Sequence, residues 1–250
     1  MQPRFLRGFW KLTWVEIKIF TREPMGFVGT LVMPVVVFLI LGRALAARPV
    51  IKDEVDIPFN AAILAALLIA ISAVQSLVAI ISIYREGGIL KRLRATPLSP
   101  VTILGAHVVV KLVFTVASLA LLLLAGRRMF PGVMQVNVLS FTAAVLLSTL
   151  SILSLGFVIA SLVPTARFAQ PISAAIVYPM LALSGLFYPV DRLPRIFRVI
   201  AYALPTTHAV ALLQGVWDGS GWGPHLVNVA ALLVLFVAYT SLSTKVFRWE

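Results

Sequence analysis

Long uninterrupted apolar runs constrain the fold of this chain more than any other feature. The stretch from Ala61 to Ile83 contains no ionisable residue across its 23 positions. About 20 helical residues are enough to cross a hydrocarbon core of ~30 Å. Hydrophobic residues make up 60% of the chain and charged residues 12%, about half the charged fraction of an ordinary soluble domain. The sequence therefore predicts an integral membrane protein.

Charged and proline-rich intervals divide the chain into six apolar segments. Helices are expected in these segments because lipid leaves the polar groups of an open backbone unpaired. The predicted fold is all-α, with one six-span transmembrane domain over residues 25–250. The predicted spans are residues 25–42, 61–83, 101–125, 138–163, 170–188 and 225–244.

Residues 1–24 precede the first span and mix apolar with basic side chains. This pattern suits an amphipathic helix lying in the headgroup region, with Trp10 and Trp14 as interfacial anchors. The alternative is an ordinary basic flank before a span. The first apolar run is too long for a signal-peptide core, so we expect an uncleaved span.

A second segment that is too short to span lies between the fifth and sixth spans. Pro189, Pro194 and Pro205 divide it into two short helices, because proline opens helices more readily than it continues them. The apolar residues near Phe197 are unsuited to a solvated loop. We predict two interfacial or re-entrant helices on the extracellular side.

Basic residues set the orientation of a multi-pass protein. With the N-terminus inside, the inner segments hold twelve Lys and Arg residues and the outer segments eight. We therefore expect both termini on the cytoplasmic side of the cell membrane. The net charge of +12 is accounted for mostly by this topology, so nucleic-acid binding is not expected.

The chain lacks the residue patterns of several chemistries. No Lys follows a Gly, so a phosphate loop is absent. All nine acids lie outside the predicted spans, whereas a proton-coupled carrier places acids within them. The three histidines are scattered, which disfavours a metal site. No acid–base constellation indicates an enzyme, so we predict no catalytic and no metal-binding residue.

Polar side chains recur along one face of the third predicted span. A mid-membrane lysine costs about 3 kcal/mol on insertion scales, so this stripe has either a functional or a local explanation. It faces a translocation path or a subunit seam, or else Lys111 snorkels while the hydroxyls bond their own backbone. Ser72, Gln75 and Ser76 in the second span have the same two interpretations. The stripe consists of His107, Lys111, Thr115 and Ser118.

The segment REGGILKRLRATPLSP, residues 85–100, is the least apolar part of the chain's middle. Gly87 and Gly88 permit a sharp turn after the second span, and Pro97 ends a short helix. Glu86 lies near the start of that helix, where a negative charge suits the helix dipole. This cytoplasmic helix has an apolar side and a basic side but no catalytic or metal-binding residue. We predict that it transmits movement between a partner and the spans.

This segment resembles the stretch between the second and third spans in permeases of the ATP-binding cassette (ABC) type-2 exporter family. The later stretch SGLFYPVDRLPRIFRVIAYALPTTHAVALLQGV resembles that family's second signature. The resemblance implies two permease units, as a homodimer or heterodimer, on two separate ATPase subunits that bind ATP and Mg. It also implies that the short helix docks on the ATPase, although Gly88 stands where the family often has Thr.

The resemblance implies outward transport of a drug, lipid or lipid-linked glycan, with no cofactor in this chain itself. A self-contained carrier or channel is the competing class, and a lipid-modifying enzyme is a third. The residues that the resemblance assigns to ATPase coupling are Glu86, Gly87, Gly88, Leu90, Lys91, Arg92 and Leu93.

Overall fold

The computed structural model describes residues 4–22, 27–46, 60–89, 100–130 and 136–246, and within these ranges the ordered elements are all helical. A π-helical turn at Val28–Val32 leads into the second helix, and 3-10 turns lie at Val190–Arg192 and Gly223–His225. The α-helices are α1 (Arg4–Arg22), α2 (Met33–Ala46), α3 (Ala61–Glu86), α4 (Pro100–Met129), α5 (Val138–Leu162), α6 (Ala166–Ala182), α7 (Arg195–Tyr202), α8 (Pro205–Trp217) and α9 (Leu226–Val246).

A helix lies at each of the six predicted spans, which confirms the all-α membrane fold. Among the described residues, four stretches are long and apolar enough to cross a membrane: Ala61–Glu86, Leu104–Met129, Val138–Leu162 and Gly223–Val246. The helices at the first and fifth spans, α2 and α6, are shorter.

The predicted end of the fifth span is wrong by six residues. We placed it at residue 188, but α6 ends at Ala182 and the chain then bends. Gly185 has a φ of +89°, a left-handed conformation that glycine adopts at little cost and that stops a helix. The apolar residues after the bend were mistaken for a continuation of the span.

Helix α3 forms the centre of the bundle. Ile63, Leu67 and Val74 are fully buried, and α3 packs against α2, α4, α5 and α6. Gly156 of α5 lies so close to α3 that an added Cβ would meet a Val74 side-chain carbon at 3.3 Å. Small residues permit such close helix packing within a membrane.

The proline-rich segment forms two short helices, as predicted, but they differ in environment. Helices α7 and α8 meet at a bend of 77°. Ile196 and Val199 of α7 are exposed, whereas α8 is buried along most of its length against α5 and α9. Thr206 ties the bend to α6 by donating to the Met180 carbonyl at 3.0 Å. Of the two interpretations, an interfacial position therefore suits α7 and a re-entrant one suits α8.

Candidate functional site: a polar cavity beside a helix clamp

A cavity of about 300 Å³ lies between α1, the π-helical turn, α3 and α4. Its polar lining includes five of the residues singled out from the sequence on α3 and α4, namely Ser72, Gln75, Ser76, His107 and Lys111. Residues that sequence reasoning did not connect to them complete the polar wall. These are Glu16, Thr30 and Gln170.

Lys111 is buried within the chain, between α1 and α3. Its side chain is only 5% exposed, and its ammonium donates to Ser76 Oγ at 2.6 Å. The same ammonium lies 4.7 Å from the centre of the Phe20 ring, within the range of a cation–π contact. Helices α1 and α3 thus enclose the side chain, and both interpretations of Lys111 stay predictions.

Glu16 joins the third predicted span through a buried polar network. The Tyr84 hydroxyl donates to Glu16 Oε1 at 2.7 Å, and His107 Nδ1 lies 3.5 Å from Glu16 Oε2. Glu16 is outside the six predicted spans, as we said of all nine acids, yet it is 6% exposed. Packing of α1 on α4 brings Glu16 into the bundle.

The two remaining residues of the stripe are buried but lie outside the cavity lining. Ser118 donates to the Thr30 carbonyl at 3.1 Å, so it joins α4 to the π-helical turn instead of bonding its own backbone. The Thr115 hydroxyl has no hydrogen-bond partner among the described residues. The stripe thus divides into a cavity-lining half and a helix-packing half.

Helix α1 has one buried and one exposed face. Thr13, Glu16 and Phe20 are buried, while Trp10 and Trp14 are 60% and 68% exposed. The exposed tryptophans suit the predicted interfacial anchors, and that position remains a prediction. The spacing of three and four between the buried residues was the signal that could have placed Glu16 on the packed face.

Two adjacent residues at the end of α3 clamp the turn between α5 and α6. Arg85 donates to the Ala160 carbonyl at 3.3 Å and also to the Val163 carbonyl. Glu86 Oε2 accepts from the backbone N–H of Ala166 at 2.7 Å. A cation therefore meets the carboxyl end of α5, and an anion meets the amino end of α6, as the helix dipoles favour. We call Arg85 and Glu86 the clamp.

The predicted position of Glu86 near the start of the coupling helix stays a prediction, because most of that helix lies outside the described residues. Glu86 is the last residue of α3, and its carboxylate interacts with the start of α6 because Thr165, the N-cap residue of α6, makes no side-chain capping bond. Gly87 follows as the C-cap of α3, and Gly88 has a φ of +65°, so the predicted sharp turn is present. Leu90, Lys91, Arg92 and Leu93 lie outside the described residues.

The histidines are less scattered than we predicted. Asn228 Oδ1 lies 3.0 Å from His208 Nδ1, and Asn228 Nδ2 lies 3.5 Å from His225 Nδ1. Asn228 thus bridges two histidines that α8 and the following turn bring together. In the part of the chain that the structure describes, no group of three or more His, Cys, Asp or Glu residues could hold a metal ion.

Comparison with known proteins gives one family match and several partial relatives. Residues 7–217 match the family described as ABC-2 type transporter. Nodulation protein J of Rhizobium leguminosarum bv. trifolii is 32% identical over 102 residues, which cover 41% of this chain and 39% of that protein. Nodulation protein J of Sinorhizobium fredii (strain NBRC 101917 / NGR234) is 29% identical over 133 residues, covering 53% of this chain and 50% of that protein. The chain thus matches between two fifths and one half of the length of these two relatives.

Proposed function

Since the chain belongs to the ABC-2 type transporter family, whose members are membrane subunits of ABC transporters, we propose that it forms the export path for a hydrophobic or amphipathic substrate. ATP, with Mg, is bound and hydrolysed on a separate ATPase subunit. The substrate class is a drug, a lipid or a lipid-linked glycan. The family match over residues 7–217 carries this proposal.

The clamp supports mechanical coupling to such an ATPase. It ties the end of α3, where the predicted coupling segment begins, to the α5–α6 turn through three hydrogen bonds. A push on the segment after Gly88 would therefore move three helices together instead of bending one. We assign ATPase docking to the segment from Glu86 to Leu93, on the cytoplasmic side of the cell membrane.

A second permease copy, or a paralogue of it, completes the proposed transporter. Much of α9 is exposed on the single chain, including Val227 at 78% and Val234 at 65%. Lipid or a second permease unit would cover such a surface. This chain contributes the path and the docking segment, and the ATPase contributes the catalysis.

The test is affinity purification of the tagged chain from its native membrane, followed by reconstitution with the ATPase that co-purifies. We expect no ATP turnover by the chain alone and ATP-dependent transport by the complex. Leu93→Asp should weaken ATPase binding by about 1.5–3 kcal/mol, the worth of one buried leucine side chain. Asp218→Lys, at an exposed residue on the opposite predicted side, is the matched control and should leave binding unchanged.

One observation favours the competing carrier class: the buried position of Glu16 beside His107. A carrier would transport against a gradient in vesicles that contain this chain alone, driven by a pH difference, and Glu16→Gln would abolish that transport. The exporter proposal requires no transport without the ATPase, and it requires ATP-driven transport to persist in Glu16→Gln. Gradient-driven transport by the chain alone would replace the exporter proposal with the carrier.

A further inference from the structure

We propose that the polar cavity binds the headgroup of an anionic, hydroxyl-bearing membrane amphiphile whose apolar chains stay in the bilayer. The proposal concerns a binding site and holds for the isolated chain. Its link to transport rests on the proposed function, and the experiments below separate the two.

The size of the cavity sets what it can enclose. At about 300 Å³ it lies at the lower limit of small-molecule pockets, which extend from roughly 300 to 1,000 Å³. A polar headgroup fits such a volume, whereas a headgroup with two acyl chains does not. The chains of a bound amphiphile must therefore leave through an opening.

The cavity has an apolar side at the surface of the chain. Ile19 of α1 and Ile83 of α3 line it and are 44% and 50% exposed. Glu16, His107 and Lys111 at its interior are buried. A molecule with a polar head and an apolar tail matches this gradient, with its head at the buried residues and its tail beside the two isoleucines.

The interior chemistry selects an anion that also carries hydroxyl groups. Ser76 and Phe20 hold the Lys111 ammonium at the cavity wall, where it offers a positive charge to a phosphate. His107 Nε2 is buried and has no hydrogen-bond partner among the described residues, and a hydroxyl donor would satisfy it. Gln75 and Gln170 add amide donors and acceptors for further hydroxyls.

The oxygens of Glu16 are engaged by other groups, which leaves Lys111 as the contact for an anionic headgroup. Oε1 accepts from Tyr84, and Oε2 faces His107 Nδ1. The contact with Glu16 also fixes the histidine ring so that its other nitrogen is the one left unpaired. The carboxylate therefore acts as a positioning group for His107.

The depth of the site suits a ligand that enters from the membrane. Lys111 is eleven residues from the start of α4 at Pro100, about 16 Å along the helix axis at 1.5 Å per residue. That position lies inside the third predicted span, residues 101–125. Lateral entry from the bilayer brings the headgroup to the ammonium while the chains remain in lipid.

The test is native mass spectrometry of the delipidated full chain, titrated with short-chain phosphatidylglycerol and, for comparison, phosphatidylcholine. Both lipids carry a phosphate, but only phosphatidylglycerol has net negative charge and free hydroxyls. We expect tighter binding of phosphatidylglycerol. Lys111→Gln should weaken it by about tenfold or more, the worth of one charge-assisted hydrogen bond, and Lys111→Arg should retain it. Lys18→Gln, at an exposed lysine of α1, is the matched control and should change binding less than twofold.

A second variant blocks the opening without touching the polar interior. Ile83→Trp places a bulky ring at an exposed position and should reduce phosphatidylglycerol binding, while Ile40→Trp, 61% exposed on α2, should not. Unchanged binding in both Lys111→Gln and Ile83→Trp, or equal affinity for the two lipids, would overturn the proposal. A change of oligomeric state in Ile83→Trp without loss of lipid would also overturn it, because a second copy would then occupy the opening.

The source of the amphiphile is distinguished by a separate assay. In proteoliposomes that contain the ATPase, a transported amphiphile changes leaflet with ATP, and Lys111→Gln slows that movement. A resident membrane lipid binds equally well but keeps its leaflet. Failure of the ATPase complex to transport anything would count against the proposed function and leave the binding measurements intact.

Discussion

Helices α3 and α9 are both long and apolar, yet they occupy opposite environments. Ile63, Leu67 and Leu77 of α3 are fully buried, and most of the other residues of this helix are buried too. In α9, Leu232 and Ser243 are the buried residues. Hydropathy alone does not distinguish a central helix from a peripheral one.

The difference comes from side-chain size and neighbours. Lipid tails are as apolar as leucine, so burial within a membrane is driven by close packing and hydrogen bonds between helices. Helix α3 presents alanines at Ala62, Ala65 and Ala66, all essentially buried, and α5 approaches it closely at Gly156. Helix α9 contacts chiefly α5 and α8 and leaves most of its surface exposed.

The largest expected effect is the difference in stability cost between truncating one leucine in α3 and one leucine in α9. Leu67→Ala in α3 should destabilise the folded chain by about 2–5 kcal/mol, because a fully buried side chain leaves a void. Leu233→Ala in α9, 47% exposed, should cost within about 0.5 kcal/mol. SDS-titrated unfolding in mixed micelles measures both, and equal losses would show that α9 is packed as tightly as α3.

An enlargement at matched alanines tests the same difference in the opposite direction. Ala65→Leu in α3 should cost about 1–3 kcal/mol, since no space exists around a fully buried residue. Ala230→Leu on the exposed side of α9 should be neutral. Both changes raise hydrophobicity, so membrane insertion is preserved and the unfolding measurement reports packing. A neutral Ala65→Leu would contradict the close packing of α3.

Arg85, at the polar end of α3, should matter more for the coupling of ATP hydrolysis to transport than for the stability of the fold. Arg85→Gln removes the charged donor to two carbonyls of the α5 end and should cost about 1–2 kcal/mol. In the reconstituted complex we expect ATPase binding to persist while ATP-driven transport falls. Lys245→Gln, at the exposed end of α9, is the control. Full transport by Arg85→Gln would remove the clamp from the coupling route.

The smallest expected effect concerns the hydrogen bond that attaches α9. Ser151 of α5 donates to the Leu232 carbonyl at 2.9 Å. Ser151→Ala should cost about 0.6 kcal/mol, the mean for a side-chain hydrogen bond inside a membrane protein, and Ser241→Ala at an exposed position of α9 should cost less. A loss above 2 kcal/mol, measured by the same unfolding titration, would mean that this bond dominates the attachment of α9.

Half of the candidate site could be read from the sequence. His107 and Lys111 are conspicuous because ionisable residues are expensive within an apolar span, and their spacing of four places them on one helix face. Glu16 and Arg85 could not be assigned, because their contacts with His107 and with α5 join positions 75 to 91 apart along the chain. Such pairings depend on how α1 and α5 pack, which no local pattern specifies.

The sequence by itself determined that the protein is a helical membrane protein and where its helices lie. Apolar run length and proline positions are local properties, and the bilayer converts them directly into helices. Only the tertiary structure decided that α3 is central, that α8 is buried while α7 is exposed, and that Glu16 meets His107. The physical reason is that lipid and protein are almost equally apolar solvents, so contacts between distant segments decide which face each helix buries.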